Sequence, residues 1–187
     1  MTLPRHFLGV LSGLEEVERI HLVVSRGASQ VLKHELGETS TGAADLVAAA
    51  ELEPAAGAKI VIHRDSELDA PIASGSYRLT GTAVIPCSAG TLGSFATGAA
   101  RTLIQRAGAV ALKEGWPFVL GFRETPYSVV HLENMRRLAY QGAVILPPVP
   151  AFYIGGDSME RFLDHYAMRV LDRIGLPERQ DADLRWS

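Results

Sequence analysis

Between Arg5 and Glu18 the apolar residues Phe7, Leu8, Val10, Leu11, Leu14 and Val17 recur at three- and four-residue spacing. Side chains so spaced share one face of a helix, and the chain is expected to open with an amphipathic helix. The pattern then changes. Ile20 to Ser25 is a short β-branched run that reads as a strand, and Ala28 to Leu36 returns to helical spacing with Gly37 as its C-cap. Ala-rich residues 41–53 predict another helix and Lys59 to His63 a strand. Arg64 to Gly81 is polar and irregular, a loop long enough to carry function.

The second half keeps the alternation. Thr82 to Pro86 reads as a buried strand, Cys87-Ser88-Ala89-Gly90-Thr91 leads into one long helix reaching about Lys113, and Pro117 to Phe122 is a strand. Val129 to Tyr140 has helical spacing and Ala143 to Leu146 is a strand. After the turn at Pro147, Pro148 and Pro150, Ser158 to Ile174 closes with a helix. Continuous apolar strands separated by helices predict a parallel sheet covered on both faces with right-handed crossovers, a three-layer αβα, doubly wound fold.

Composition narrows the class. At 187 residues, 47% apolar and 21% charged, the chain fits a single domain over 1–187, with the polar segment 176–187, apolar only at Trp186, as a C-terminal arm or frayed end. A net charge of −3 with no basic stripe speaks against a nucleic-acid partner. No run approaches the roughly 20 apolar residues of a membrane span, and no apolar leader is visible at the start. The single cysteine, Cys87, can form no disulfide within the chain, which suits the cytoplasm. The six histidines, at 6, 21, 34, 63, 131 and 165, show no ligand spacing with cysteine or carboxylate, so no metal is expected. No G-x-G-x-x-G follows a strand.

In an open parallel sheet, ligands lie beyond the carboxyl ends of the strands. The residues there are Ser25, the Cys87 to Thr91 segment, Arg123-Glu124-Thr125-Pro126, and Pro147 to Tyr153. Ser88 to Thr91 offers hydroxyls and free N–H groups at a helix start, which suits an anion, or simply caps the helix. Cys87 reads as a small apolar residue rather than a nucleophile. Arg123 and Glu124 follow the apolar run 118–122, so they either form a surface ion pair or empty into a cleft and address different ligand groups. Tyr153 is either core or a stacking wall. Lys113 and Arg169 read from spacing alone as solvated helix residues.

The segments SGS at 74–76, PCSAGTL at 86–92, ALKEGWP at 111–117, RETP at 123–126, HLENM at 131–135 and GAVILPPVPAFY at 142–153 together resemble the UbiX-like flavin prenyltransferases. That resemblance runs from about Ser25 to Trp186. It implies a flavodoxin-like or Rossmann-like α/β fold, assembly into a homododecamer with active sites between subunits, and FMN binding without a metal ion. It also implies transfer of a dimethylallyl group from dimethylallyl phosphate to N5 and then C6 of reduced FMN. The product, prenylated FMN, would serve a UbiD-type decarboxylase. By the same resemblance, Ser25, Ser88, Ala89, Gly90, Thr91 and Arg123 are FMN-binding positions. Lys113, Glu124, Tyr153 and Arg169 form the prenyl-phosphate site, and Glu35 is an acidic position near it. Glu124 and Lys113, with Glu35, are the expected catalytic residues.

The chain departs from the family at its start. Members begin with a strand and a Gly-Ala-Ser-Gly-type turn, and Met1-Thr2-Leu3-Pro4 stands where the chain has just left that turn. The resemblance thus implies a sheet lacking the family's first strand and one phosphate cradle, through a misassigned start or real impairment. Two alternatives accompany the prenyltransferase reading. One is a relative of the FMN-containing cysteine decarboxylases, whose Asn-rich clamp is absent here. The other is a catalytically impaired flavin-binding or structural oligomer subunit.

Overall fold

The computed structural model describes residues 2–36, 42–152 and 158–176. Five parallel strands carry the architecture: β1 (Ile20–Val24), β2 (Ile60–Arg64), β3 (Thr82–Cys87), β4 (Phe118–Phe122) and β5 (Val144–Ile145). Around them lie α1 (Thr2–Ser12), α2 (Arg26–Leu36), α3 (Ala43–Ala49), α4 (Pro54–Gly57), α5 (Ala89–Thr97), α6 (Leu103–Glu114), α7 (Val129–Tyr140) and α8 (Met159–Leu171). The strands form two hydrogen-bonded groups, β1-β2 and β3-β4-β5, rather than one continuous ladder. All pairings are parallel, as the apolar runs require.

Strand β4 shows how sequence alternation becomes layers. Phe118, Leu120 and Phe122 face one way and pack with Leu92, Phe95, Ala111 and Leu138 from α5, α6 and α7. Val119 faces the other way, into a cluster with Phe7 of α1 and Tyr166, Val170 and Leu171 of α8. Gly121 shares that second face because the Tyr166 hydroxyl passes 2.5 Å from where a Cβ would stand. The hydroxyl itself donates to the Leu146 carbonyl at 2.8 Å.

Three expectations are corrected. The long helix from residue 87 to 113 is two helices. Gly98 takes φ 72 and ends α5, and the Thr102 hydroxyl accepts from the Gln105 N–H to start α6. The segment 64–81 is not a free polar loop. Its 3₁₀ turn Pro71–Ala73 buries Ile72 and Ala73 against Leu103 and Ala107. The carbonyl and carboxylate of Asp65 accept from the Leu103 and Ile104 N–H groups at 2.8 and 3.0 Å. Finally, α1 spans Thr2–Ser12 rather than 5–18, with Pro4 in its first turn, where a missing N–H costs nothing. Gly37, Tyr153 and the arm beyond residue 176 lie outside the described residues.

The packing under α6 is tight at Gly108. A Cβ there would stand 2.9 Å from Phe118 Cζ and press on the ring of Phe95, and those two rings already meet edge to face at 5.1 Å. Gly108→Ala is expected to destabilise the fold by about 1–3 kcal/mol through overpacking. A urea titration should show a lower midpoint with an unchanged slope.

Candidate functional site at the strand tips

The tips of β1 and β3 each hand their next residue to a helix start. After β1, Ser25 turns the chain into α2, its Oγ accepting the Ala28 N–H at 3.1 Å. After β3, Ser88 caps α5, its Oγ accepting from the Thr91 N–H at 3.3 Å and lying 3.0 Å from Thr91 Oγ1. The capping role expected of Ser88 is therefore present. It leaves the rest of the first turn open, since a Cβ on Gly90 would meet nothing within 4 Å. After β4, the Arg123 N–H donates to the Cys87 carbonyl at 3.2 Å and ties the two strand tips together.

The side chains of Arg123 and Glu124 leave this tie into solvent. They do not pair with each other. Among the described residues the Arg123 guanidinium has no ion pair, and Glu124 Oε1 accepts only the neighbouring Thr125 N–H at 3.3 Å. Ser25, Glu35, Ser88, Thr91, Arg123 and Glu124 all line one cavity of about 1260 Å³, with Ala89 and Gly90 between Ser88 and Thr91. An α-helix N-terminus, three hydroxyls and an uncommitted guanidinium make an anion site beside a carboxyl group able to move a proton.

Lys113 and Arg169 stand apart from this group. Lys113 is in the last turn of α6, just ahead of β4, where its Nζ pairs with Glu114 beside the Ser74–Ser76 turn. It therefore lies at the foot of β4, whereas Arg123 and Glu124 lie at the tip. Five strand residues separate the two ends, about 17 Å at the usual rise. Arg169 is in the last turn of α8, its Nη1 3.8 Å from Asp172 Oδ2. That helix leads to Ile174, which packs against Gly81 at the foot of β3. One protomer thus gathers the expected flavin positions with Glu35 and Glu124, but neither of these two cations.

Cys87 is fully buried and burial pushes its thiol up to about 12, so it is an inert apolar residue. Sequence reasoning missed a cluster of imidazoles. His21 Nδ1 lies 2.8 Å from His63 Nε2, and His21 Nε2 lies 2.9 Å from the Tyr77 hydroxyl. The two histidines lie two registers apart on paired strands, His21 opposite Val61 and His63 opposite Val23, and so share one face of the sheet, which their spacing in the chain does not reveal. Burial, then His63 and Arg19, lower the His21 pKa from its ordinary 6.5. A folded value below the unfolded one means that folding excludes a proton. Stability is therefore full above about pH 6.5 and falls as the pH drops through the folded value. His165, lowered by burial and Arg169, acts in the same direction. Thermal melts should show Tm falling between about pH 7.5 and 5.5, with a shallower fall in His21→Gln.

Comparison with known proteins places this geometry. The Flavoprotein family model matches residues 7–164. The flavin prenyltransferase UbiX of Pseudomonas aeruginosa is 39% identical over 92% of this chain and 83% of its own length. The chain belongs to the UbiX-like flavin prenyltransferase family. A probable UbiX-like flavin prenyltransferase of Bacillus subtilis is 43% identical over 89% of this chain and 75% of its own. Among solved structures, a dodecameric FMN-dependent UbiX-like decarboxylase from Escherichia coli O157:H7 matches at TM-score 0.83 and 38% identity, over all of this chain and 92% of the other. A UbiX in complex with FMN and dimethylallyl pyrophosphate matches at TM-score 0.82 and 37% identity, over all of this chain and 90% of that one. The parallel αβα fold of this UbiX-like chain is the fold of those neighbours. Among its described residues no helix is long and apolar enough to cross a membrane.

Proposed function

We propose that this protein is a flavin prenyltransferase that moves a dimethylallyl group from dimethylallyl phosphate to reduced FMN, yielding prenylated FMN. The observation that carries this reading is the convergence of Ser88, Thr91, Arg123 and Glu124 at the open start of α5, in a chain that matches UbiX proteins over most of its length. FMN fits the site. The first turn is open at Gly90, and among the described residues the Arg123 guanidinium has no ion pair to give up.

In this reading Ser25, Ser88, Thr91, Arg123 and the N–H groups of Ala89 and Gly90 hold and orient the flavin. Reduced FMN supplies the nucleophilic nitrogen and ring carbon that accept the prenyl group. Glu124 holds a proton and passes it to the departing phosphate as the allylic C–O bond breaks. Lys113 and Arg169, brought by neighbouring protomers, stabilise the charge that collects on the phosphate, most strongly in the transition state. Tyr153 presents a π face to the electron-poor allyl group, and Glu35 flanks the site.

The oligomer this requires has a surface to form on. Val129, Val130 and Leu132 of α7 are exposed at 76%, 65% and 52%, and Phe152 at 88%. Three apolar groups this exposed within one turn of α7 mark a contact face. We infer a homo-oligomer, dodecameric like the Escherichia coli neighbour, acting in the cytoplasm and supplying prenylated FMN to a UbiD-type decarboxylase.

The test is release of inorganic phosphate from dimethylallyl phosphate. Release that requires reduced FMN supports the reading. Release without flavin would make the protein a phosphatase, and no release with FMN bound would make it a passive flavoprotein. A second reading, a decarboxylase like the Escherichia coli neighbour, predicts no phosphate release at all.

A further inference from the structure

The segment between β2 and β3 is tied down at Asp65, at the Pro71–Ala73 turn and, beyond that turn, at Tyr77. The Tyr77 N–H donates to the Ser74 carbonyl at 3.2 Å and closes a turn across which Ser74 Oγ and Ser76 Oγ lie 2.8 Å apart. At the far end of the same residue, the hydroxyl lies 2.9 Å from His21 Nε2. The turn presses on the end of α6. A Cβ on Gly75 would stand 2.7 Å from Lys113 Nζ and would collide with the Glu114 carboxylate. A grip on the Tyr77 hydroxyl is therefore a grip on the turn against which Lys113 lies.

That grip has a direction. His63 Nδ1 faces Glu67 Oε1 at 4.0 Å, and a carboxylate there draws the ring hydrogen to Nδ1. His63 Nε2 is then an acceptor, so His21 carries its hydrogen on Nδ1 and donates across 2.8 Å. His21 Nε2 is left bare, and the Tyr77 hydroxyl donates to it. Neutral rings thus satisfy every contact from Tyr77 to Glu67. A proton added to His21 places a hydrogen on Nε2, facing a hydroxyl that had been donating, and the Tyr77 O–H must turn away. The surroundings oppose that proton. Burial, His63 and then Arg19, which precedes β1, hold the His21 pKa below its ordinary 6.5. On the opposite face of β1, α3 meets Leu22 through Val47 and Ala50, and its Asp45 accepts the Gly42 N–H of its own cap. Arg106 of α6 donates to the Ala73 carbonyl, and Arg78 is exposed.

Resting on the prenyltransferase reading, we propose that Tyr77 is a positioning residue for Lys113. Held by the His21–His63 pair, it fixes the Ser74–Ser76 turn that keeps the Lys113 ammonium in place for the phosphate of the prenyl donor. A lysine has four side-chain torsions to order, and a wall already set beside its ammonium removes part of that cost before the phosphate arrives. The hold lasts while His21 Nε2 is bare. It weakens as His21 takes up a proton, so the site loses its preset lysine as the pH falls below about 6.5.

The test is Tyr77→Phe, which removes the hydroxyl and keeps the ring that packs with Ile72 and Leu103. Phosphate release from dimethylallyl phosphate with reduced FMN is followed in variant and parent from about pH 7.5 to about pH 5.5. The expected kcat/KM of the variant is about tenfold below the parent's at the upper pH, with FMN affinity unchanged. The deficit should narrow as the pH falls, because the parent then loses the same hold, and the ratio of the two proteins cancels the titration of the substrate phosphate. A kcat/KM equal to the parent's at the upper pH, a deficit that stays constant with pH, or weakened FMN binding overturns the proposal. Should the parent itself release no phosphate, the prenyl-transfer reading fails, and amide exchange of residues 74–78 decides whether Tyr77 holds the turn. Exchange about tenfold faster in Tyr77→Phe than in the parent at the upper pH, with a smaller gap at the lower, supports that hold. Equal exchange in the two proteins overturns it.

Discussion

Glu124→Gln is expected to bind FMN as the parent does and to transfer the prenyl group about 10²- to 10⁴-fold more slowly, the usual worth of a positioned general acid. The substitution keeps size and hydrogen-bonding shape and removes only the transferable proton. Glu124 supports no other part of the fold that would confuse the result. It is exposed, and its one hydrogen bond among the described residues is from the adjacent Thr125 N–H, which a Gln carbonyl oxygen can also accept. Flavin fluorescence quenching gives the affinity and a single-turnover prenylation assay gives the rate. Equal rates in the two proteins would remove Glu124 from the chemistry. A parallel loss of FMN affinity would make it a binding residue instead.

Mixing two inactive variants is expected to restore activity. Lys113 and Glu124 occupy opposite ends of β4 and cannot meet within one chain. If they serve one site, they come from different protomers. Lys113→Ala and Glu124→Gln oligomers should each be nearly inactive. After dissociation and reassembly together in equal amounts, about a quarter of the sites regain both native residues, as random assembly of a shared interface requires. Activity of mixtures that stays at the level of the separate variants would show that Lys113 acts within its own chain, or not in this site. The test does not depend on folding defects, because both residues are exposed and neither belongs to the core.

Much of the fold was legible because burial imposes its own period. The five strands sit where continuous apolar runs predict them, and α7 spans the residues its spacing predicts. The break between α5 and α6 was hidden because Gly98 interrupts a stretch that is otherwise small and apolar, and only its left-handed φ ends the helix. The anchoring of 64–81 was hidden for another reason. Its hold comes from Asp65 on a helix start nearly forty residues later, an interaction with no local signature. At the site, the strand-tip rule brought together Ser25, Ser88, Arg123 and Glu124 because topology alone puts strand ends on one edge. Lys113 and Arg169 follow no such rule. They sit at the opposite edge, so the proposed reading needs a neighbouring protomer to bring them to the chemistry.

The mass of the flavin after reaction tests the account most directly. The protein is incubated anaerobically with reduced FMN and dimethylallyl phosphate, and the flavin is then extracted. The account predicts FMN heavier by one five-carbon prenyl unit, formed only when all three components are present. Recovery of unmodified FMN from protein shown to have bound it would contradict the account.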